Sequence, residues 1–237
     1  MVSTFSQRSV DGIILVSPRM APAEIHQLAR ASQPIVTVFL PIQVLEYHFG
    51  SVELDNVLGA ELAVTYLIEQ GFRRIVYLAG RQTSASDMQR RQGYLHALQR
   101  AAVTYEKPLI VEIGWGVTLP WPSFDARYWQ CQQLLERRMK PEAIFAYNDM
   151  TALGAMRALH ERGIRVPQDV AVVGFDHVPF SQFCIPALTT VGVQRDDIAA
   201  NVLELLFQAA GSADPLVNRH RILQPDLIVR ESALPRH

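Results

Sequence analysis

The sequence predicts an α/β protein built on parallel sheets, and two observations support this class. Short, almost uninterrupted apolar runs recur along the chain, as is typical of strands that are covered on both faces. These runs alternate with longer segments whose apolar residues recur with the 3.6-residue period of a helix. Regular alternation of this kind predicts parallel strands that are joined by right-handed helical crossovers.

Six apolar runs are the predicted strands. They are GIILVS (12–17), PIVTVF (34–39), RIVYLAG (74–80), LIVEIG (109–114), AIFAY (143–147) and VAVVGF (170–175). Ligands of such sheets bind outside the carboxyl ends of the strands. The residues that directly follow these runs are therefore the first candidates for a site.

Six helices are predicted around these strands. The clearest is NVLGAELAVTYLIEQG, for which Gly71 supplies a C-terminal stop. One side of this helix carries Leu58, Leu62, Thr65, Tyr66 and Glu69. The other predicted helices are PAEIHQLARAS (22–32), MQRRQGYLHALQRA (88–101), DARYWQCQQLLERR (125–138), MTALGAMRALHERG (150–163) and RDDIAANVLELLFQAAG (195–211).

Composition narrows the class of protein. The 237 residues carry a net charge of −1 with scattered Lys and Arg, so no basic face indicates nucleic acid or an anionic membrane as a partner. No apolar run approaches the roughly 18 residues of a membrane span, and the first residues lack a signal peptide. Cys131 and Cys184 form no motif, which is typical of a reducing compartment. We expect a cytoplasmic protein that does not contact membranes.

Catalytic patterns are absent from the sequence. The seven histidines show no metal-ligand spacing, and the chain has neither a nucleophile elbow nor a phosphate-binding loop. His177 follows Asp176 directly, but side chains that are neighbours in sequence usually point apart. We therefore expect neither an enzyme nor a metal or other cofactor.

Polar and aromatic residues instead gather after four of the predicted strands. Asn148 and Asp149 follow run 143–147, and Asp176 follows run 170–175. Arg90 comes after run 74–80, and beyond run 109–114 come two indoles, Trp115 and Trp121. An amide, carboxylates, a guanidinium and an aromatic face at one sheet edge suit a small polar ligand such as a sugar or nucleoside.

Each of these residues also has a plainer reading. Asp149 begins a helix and is a candidate for its cap, Asp176 could be a turn carboxylate, and Arg90 could be a solvated surface residue. Of three candidate aromatics in this region, we expect only one to stack on a ligand; they are Trp115, Trp121 and Phe124.

Five motifs occur together in one order, with suitable spacings. They are VELDNVLGAELAVTYLIEQGFRRIVYLAG, RRQGYLHAL, AIFAYNDMTALGAMRALHERGIRVPQDVAVVGFD, IPALTTV and LIVRES. In this order they resemble the LacI/GalR family of bacterial transcriptional regulators, over about residues 10–232. The resemblance implies the effector-binding core, with two parallel-sheet Rossmann-like lobes of the periplasmic-binding-protein type I and ligand in the cleft. The lobes would be 1–54 plus 192–222 and 55–191 plus 223–237.

The resemblance also assigns site residues. The arginine of the R-x-x-G motif is Arg90, the asparagine of the ND pair is Asn148 and the aspartate of GFD is Asp176; all three would be effector ligands. The family's cleft aromatic falls somewhere in 115–124. Phe39 stands where many relatives carry an aspartate, which implies a less hydroxylated or differently shaped ligand.

The start of the chain departs from the family pattern. Nothing before VDGIILVS encodes the family's helix-turn-helix headpiece or hinge helix, so operator DNA would be bound only through a headpiece that this chain lacks. The resemblance also implies that the family's first two β-α units are missing, so we expect an incomplete N-terminal lobe, an exposed GIILV edge and weakened effector binding. Self-association through that edge is an expectation of the same kind.

Two functions fit the resemblance. The first is the sensor of a transcriptional regulator, expected to be a homodimer because operator half-sites mirror two-fold symmetry. The alternative is a solute-binding protein of a sugar transport system, which uses the same fold. The segments LTTV and LIVRES favour the regulator.

Overall fold

The computed structural model describes residues 10–16, 22–28, 30, 33–39, 49–81, 84–103, 109–112, 124–137, 139–211 and 220–235. The chain divides into two compact units. The first unit is Met1–Asp55 with Gln194–Gln224, and the second unit is Asn56–Val193 with Pro225–His237. The predicted boundaries after residues 54, 191 and 222 lie within two residues of these division points. The assignment of the units to the two lobes stays a prediction.

The first unit contains one parallel sheet of four described strands and two described helices. In chain order its elements are β1 (Ile13–Val16), α1 (Pro22–Leu28), β2 (Ile35–Val38), β3 (Gly50–Leu54), α6 (Arg195–Gly211) and β9 (His220–Leu223). The strand order is β1-β2-β3-β9, and each neighbouring pair is parallel. Val202 and Leu205 of α6 pack with Val36 and Val52 of the sheet to form the core.

The second unit contains a six-stranded sheet. Its strands are β4 (Ile75–Leu78), β5 (Ile110–Val111), β6 (Ala143–Ala146), β7 (Ala171–Phe175), β8 (Thr189–Gly192) and β10 (Asp226–Ile228). Its helices are α2 (Asn56–Glu69), α3 (Ala85–Arg100), α4 (Phe124–Glu136) and α5 (Asp149–Glu161), with short 3₁₀ turns at Pro179–Gln182 and Glu231–Ala233. The strand order is β10-β8-β7-β6-β4-β5.

The predicted α/β class and the six predicted strands are confirmed, and one pairing departs from the prediction. Every residue of β4, β6, β7 and β8 is buried, which explains the unbroken apolar runs of β4, β6 and β7. All pairs in this sheet are parallel except that of β10 with β8, which is antiparallel. The strand β10 sits at the sheet edge and does not follow a helical crossover, so parallel pairing is not imposed on it.

The buried side of α2 is lined by small residues. Gly59, Ala60, Ala63, Val64 and Leu67 are buried, together with Asn56. The larger residues that the sequence groups on one side are only partly buried or exposed; they are Leu58, Leu62, Thr65, Tyr66 and Glu69. The helix therefore packs mainly through its other residues, and α3 approaches it closely at Val57 and Ala60.

Candidate ligand-binding site

Gly93 explains how the helix that carries Arg90 reaches the sheet edge. A Cβ atom at Gly93 would lie 2.2 Å from the Val57 carbonyl oxygen and 2.8 Å from the Ala60 Cβ. Only glycine therefore allows α3 to pack this closely on α2. The close approach brings Arg90, one turn earlier, to the start of α2, where its Nε donates to Asn56 Oδ1 at 2.8 Å.

The Arg90 guanidinium is held on several sides. Its Nη1 donates to the Tyr147 carbonyl at 2.5 Å and its Nη2 donates to Asp176 Oδ1 at 3.1 Å. The guanidinium carbon lies 3.7 Å from the centroid of the Phe175 ring and 4.9 Å from that of the Tyr147 ring. Its side chain is 8% accessible. Arg90 is thus a fixed, buried cation, and the reading as a solvated surface arginine is wrong.

Asp176 directly follows β7 and remains open to solvent. Its backbone has a φ of 101°, a conformation that non-glycine residues rarely adopt. The carboxylate accepts a hydrogen bond from Arg90, and the side-chain amide of Asn148 also favours its charged form. Burial by the surrounding protein raises the pKa of the Asp176 carboxyl, and the Arg90 charge opposes that rise. Because 37% of the side chain is still accessible, the carboxylate can accept a further donor.

Asn148 links the end of β6 to the start of α5. Its Oδ1 accepts from the backbone N–H of Thr151 at 2.9 Å and from the Thr151 hydroxyl at 2.8 Å. Asn148 is therefore the N-cap of α5, and the expectation that Asp149 caps this helix is wrong. The cap uses only the side-chain carbonyl oxygen of Asn148, so the NH₂ group of the same amide remains available to interact with the Asp176 carboxylate.

The buried carboxylate of Asp149 connects three segments of the chain. Its carboxylate accepts from the Thr190 hydroxyl at 2.5 Å and from the Val178 backbone N–H at 2.8 Å. Burial raises the pKa of the Asp149 carboxyl to about 7, although both hydrogen bonds oppose the rise. A Cβ atom at Gly174 would lie 2.2 Å from Asp149 Oδ1, so glycine is needed beside it. Asp149 thus joins β6, β8 and the loop that holds Asp176.

A second guanidinium acts on Asp176. Arg127 lies in the first turn of α4, and its charge interacts with that of the Asp176 carboxylate. Its Nε is buried and has no hydrogen-bond partner within the described part of the chain. Burial lowers the pKa of Arg127, and Asp176 opposes this. Gly154 lets α4 lie close to α5, since a Cβ there would be 2.9 Å from the Tyr128 backbone nitrogen.

Comparison with known proteins places this architecture in a family. The sequence matches the periplasmic binding protein-like domain over residues 64–233. It is 32% identical to the HTH-type transcriptional repressor CytR of Escherichia coli K12, over 96% of this chain and 64% of that protein. The solved complex of the transcriptional regulator CelR with cellobiose is 30% identical, with a TM-score of 0.82 over 98% of this chain and 68% of that chain.

A LacI-family regulatory protein from Chloroflexus aggregans is similar to the same degree. It is 32% identical, and its TM-score is 0.78 over 96% of this chain and 78% of that chain. This chain belongs to the LacI family. Within that family it is a periplasmic-binding-protein-like domain, and it spans 64% of the length of CytR.

The LacI-family chain brings together three of the residues that the sequence singles out. Arg90, Asn148 and Asp176 meet after β4, β6 and β7, which are adjacent parallel strands. Trp115 and Trp121 lie outside the described residues. Phe124 begins α4, and its side chain is also outside them. Whether any of these aromatics contacts a ligand stays a prediction.

Phe39 and His177 have structural contacts. Phe39 belongs to the first unit, where its side chain packs against the core formed by β2, β3 and α6. The His177 ring meets the Arg230 guanidinium, with 3.2 Å between His177 Nε2 and Arg230 Nη2. Since an arginine can only donate, His177 Nε2 is the acceptor in this contact.

Sequence reasoning missed Asn56, Tyr147, Phe175 and Arg127 as parts of this site. Tyr147 and Phe175 directly precede the two predicted ligand residues, so their positions at the strand ends were a usable signal. Asn56 and Arg127 gave none, because each acts through a contact between separate helices. Among the described residues, no cluster of His, Cys, Asp and Glu could hold a metal, and none of the described helices could cross a membrane.

Proposed function

We propose that this chain is the small-molecule sensor of a LacI-type transcriptional regulator and that it binds a polar, hydroxylated metabolite such as a sugar. The observation that carries the proposal is the Arg90–Asp176 ion pair, which lies at the carboxyl end of the parallel strand β7. Ligands of open α/β sheets bind at this edge. Arg90 favours the ionised form of the Asp176 carboxylate and orients it, and the accessible part of that carboxylate accepts hydroxyl donors from the ligand.

The other site residues fit the same role. Asn148 caps α5 with its amide oxygen and acts on Asp176 with its NH₂ group. The rings of Phe175 and Tyr147 lie against the Arg90 guanidinium and hold it in place. Such fixed polar groups supply orientation and specificity in a small-molecule site. The CelR complex with cellobiose supports a carbohydrate ligand, since that protein is 30% identical to this chain.

The relatives favour regulation over transport. CytR and CelR are both named as transcriptional proteins, so a solute-binding protein of a transport system is the weaker reading. We propose that ligand binding and operator binding are coupled by about 1–3 kcal/mol and that a helix-turn-helix segment of the regulator contacts the DNA. The protein would then act in the cytoplasm and would have no catalytic activity.

An exposed apolar surface supports a homodimer. Phe180, Phe183 and Ile185, which lie at and just after the 3₁₀ turn of the second unit, are 67%, 75% and 96% exposed. Exposed apolar clusters of this kind usually mark protein contacts. We propose that this surface, the Phe183 surface, meets the same surface of a second copy about a two-fold axis.

Calorimetry with a panel of neutral sugars and nucleosides tests the sensor. We expect at least one member to bind, and Asp176→Asn to weaken its binding by about tenfold or more, equivalent to about 1.4 kcal/mol. Asp226→Asn is the matched control, since Asp226 is an exposed carboxylate of β10. Binding that Asp176→Asn leaves unchanged would refute the site, and no binding by any small metabolite would refute the function.

A further inference from the structure

Arg90 and Arg127 differ in how their guanidinium groups are bonded. Arg90 donates hydrogen bonds from Nε, Nη1 and Nη2 to Asn56, Tyr147 and Asp176, respectively. No described residue accepts from the buried Nε of Arg127. Arg127 also interacts electrostatically with the Asp176 carboxylate, which accepts its hydrogen bond from Arg90. The Nε of Arg127 therefore lacks a hydrogen-bond partner among the described residues.

The position of Arg127 follows from a residue one turn later in α4. The Gln130 side chain donates to the Ala79 carbonyl at 2.9 Å and to the Val111 carbonyl at 2.5 Å. Ala79 directly follows β4, and Val111 ends β5. The start of α4 thus lies beyond the carboxyl ends of these strands. This is the sheet edge at which Asp176 also lies, so Arg127 is placed to meet the same ligand.

A charged donor that is buried and unpaired, such as the Nε of Arg127, is costly in the free protein. A donor sealed from water and left unsatisfied carries a desolvation penalty, and the penalty is larger for a charged group. The planar guanidinium matches the geometry of carboxylate and phosphate groups and binds them with paired hydrogen bonds. A ligand that brings such a group would supply the missing partner.

We propose that Arg127 binds an anionic group of the ligand, a carboxylate or a phosphate. The ligand is then a hydroxylated metabolite with a negative charge: its hydroxyls donate to Asp176, and its anion accepts from Arg127. This inference rests on the proposed sensor function and narrows the class of its ligand. A neutral sugar would leave the Arg127 charge unmatched and would bind more weakly.

Matched ligands of increasing charge test the inference by calorimetry at constant ionic strength. The probes are glucose, glucuronate and glucose 6-phosphate; galactose, galacturonate and galactose 6-phosphate; and ribose with ribose 5-phosphate. We expect one acid or one phosphate to bind at least about tenfold tighter than its neutral parent, which is about 1.4 kcal/mol. Whether the acid or the phosphate gains more identifies the anion.

Substitutions at position 127 test whether the tighter binding of the charged ligand depends on the Arg127 side chain. Arg127→Met removes the charge and keeps the length; we expect it to abolish the preference for the charged ligand and to leave the neutral parent within about twofold. Arg127→Lys keeps the charge without the planar fork, so it retains part of the preference. Arg157→Met, at an exposed arginine of α5, is the control and should change nothing.

Thermal unfolding without any ligand gives a second readout. Removing an unpaired buried charge should leave the Tm of Arg127→Met unchanged or raise it by about 2–4 °C. A Tm lowered by more than about 4 °C would show that Arg127 serves the fold, and would overturn the inference.

The outcomes separate this inference from the proposed function. If neutral sugars bind in a manner that depends on Asp176 and no charged member binds tighter, the inference fails and the sensor stands. The inference also fails if Arg127→Met keeps the preference for the anion. If no member of this panel binds, neutral or charged, and no nucleoside binds either, both proposals fall together.

Discussion

Arg90 and Asp176, which are 86 positions apart in the chain, form an ion pair in which Nη2 of Arg90 donates to Oδ1 of Asp176 at 3.1 Å. The pair ties α3 to the end of β7. Because Arg90 also bonds Asn56 and Tyr147, it cannot turn away when the site is empty. Asp176 is therefore held in one position before a ligand arrives, which lowers the cost of ordering on binding.

The first prediction concerns the stability of this pair. Asp176→Asn removes the carboxylate charge and leaves the buried Arg90 without its counter-ion. We expect the free energy of unfolding to fall by about 1–3 kcal/mol in urea denaturation. Asp226→Asn, which changes an exposed carboxylate of the same unit, should stay within about 0.5 kcal/mol. Equal losses for the two variants would show that Arg90 does not need Asp176.

The second prediction separates the two roles of Asn148. Asn148→Ala removes the N-cap of α5 and should cost about 0.5–2 kcal/mol of unfolding free energy, whereas Asn148→Ser should restore most of it. Both variants lose the amide donor to Asp176, so both should bind ligand more weakly by a similar factor. Urea denaturation and calorimetry measure the two effects. If serine restores ligand affinity as well as stability, the amide has no part in binding.

The third prediction is a pH dependence that arises from Asp149. Its folded pKa of about 7 lies above the ordinary value of about 3.9 in an unfolded chain. The folded state therefore holds the proton more tightly, and the resulting stability is complete below about pH 4 and lost as the pH rises to about 7. Asp149→Asn is neutral throughout and lacks this dependence.

The pH dependence due to Asp149 is checked by measuring the unfolding free energies of the native chain and of Asp149→Asn at pH 5 and pH 8. Relative to Asp149→Asn, the native chain should lose on the order of 1–4 kcal/mol between these pH values. The comparison isolates Asp149 because other groups, Asp176 included, titrate in both proteins. Parallel pH profiles would mean that Asp149 is ionised in the folded chain at both pH values.

The fourth prediction concerns assembly through the Phe183 surface. Sedimentation velocity should find the native chain as a dimer at micromolar concentration, and Phe183→Glu or Ile185→Glu should make it monomeric, because burying an unpaired charge at the contact is costly. Phe207→Glu changes a side chain that is 69% exposed on α6 of the first unit and should leave the dimer intact. A monomeric native chain, or a monomeric Phe207→Glu variant, would contradict the proposed interface.

The apolar runs of the sequence predicted the positions of Asn148 and Asp176 because a strand buried on both faces must end where its polar residues begin. Since parallel strands end at one edge, their meeting also followed. Arg90 was a candidate because it comes after run 74–80, and the resemblance then gave it a ligand role. The structure supplies the physical reason for the R-x-x-G motif: Gly93 lets α3 approach α2.

Other features depend on packing that a linear pattern does not encode. The buried side of α2, which carries Gly59, Ala60 and Ala63 as well as Leu67, is set by the close approach of α3. The roles of Asn56 and Arg127 arise from contacts between helices. The short strands β9 and β10, with the sequences HRIL and DLI, show no alternation or apolar run that would reveal them.

A crystal structure of this chain with the ligand that calorimetry selects tests the central claim most directly. The account predicts a ligand oxygen within about 3.2 Å of the Asp176 carboxylate, with Arg90 still bonded to that carboxylate. A ligand bound elsewhere, with the Asp176 side chain facing only solvent, would contradict it.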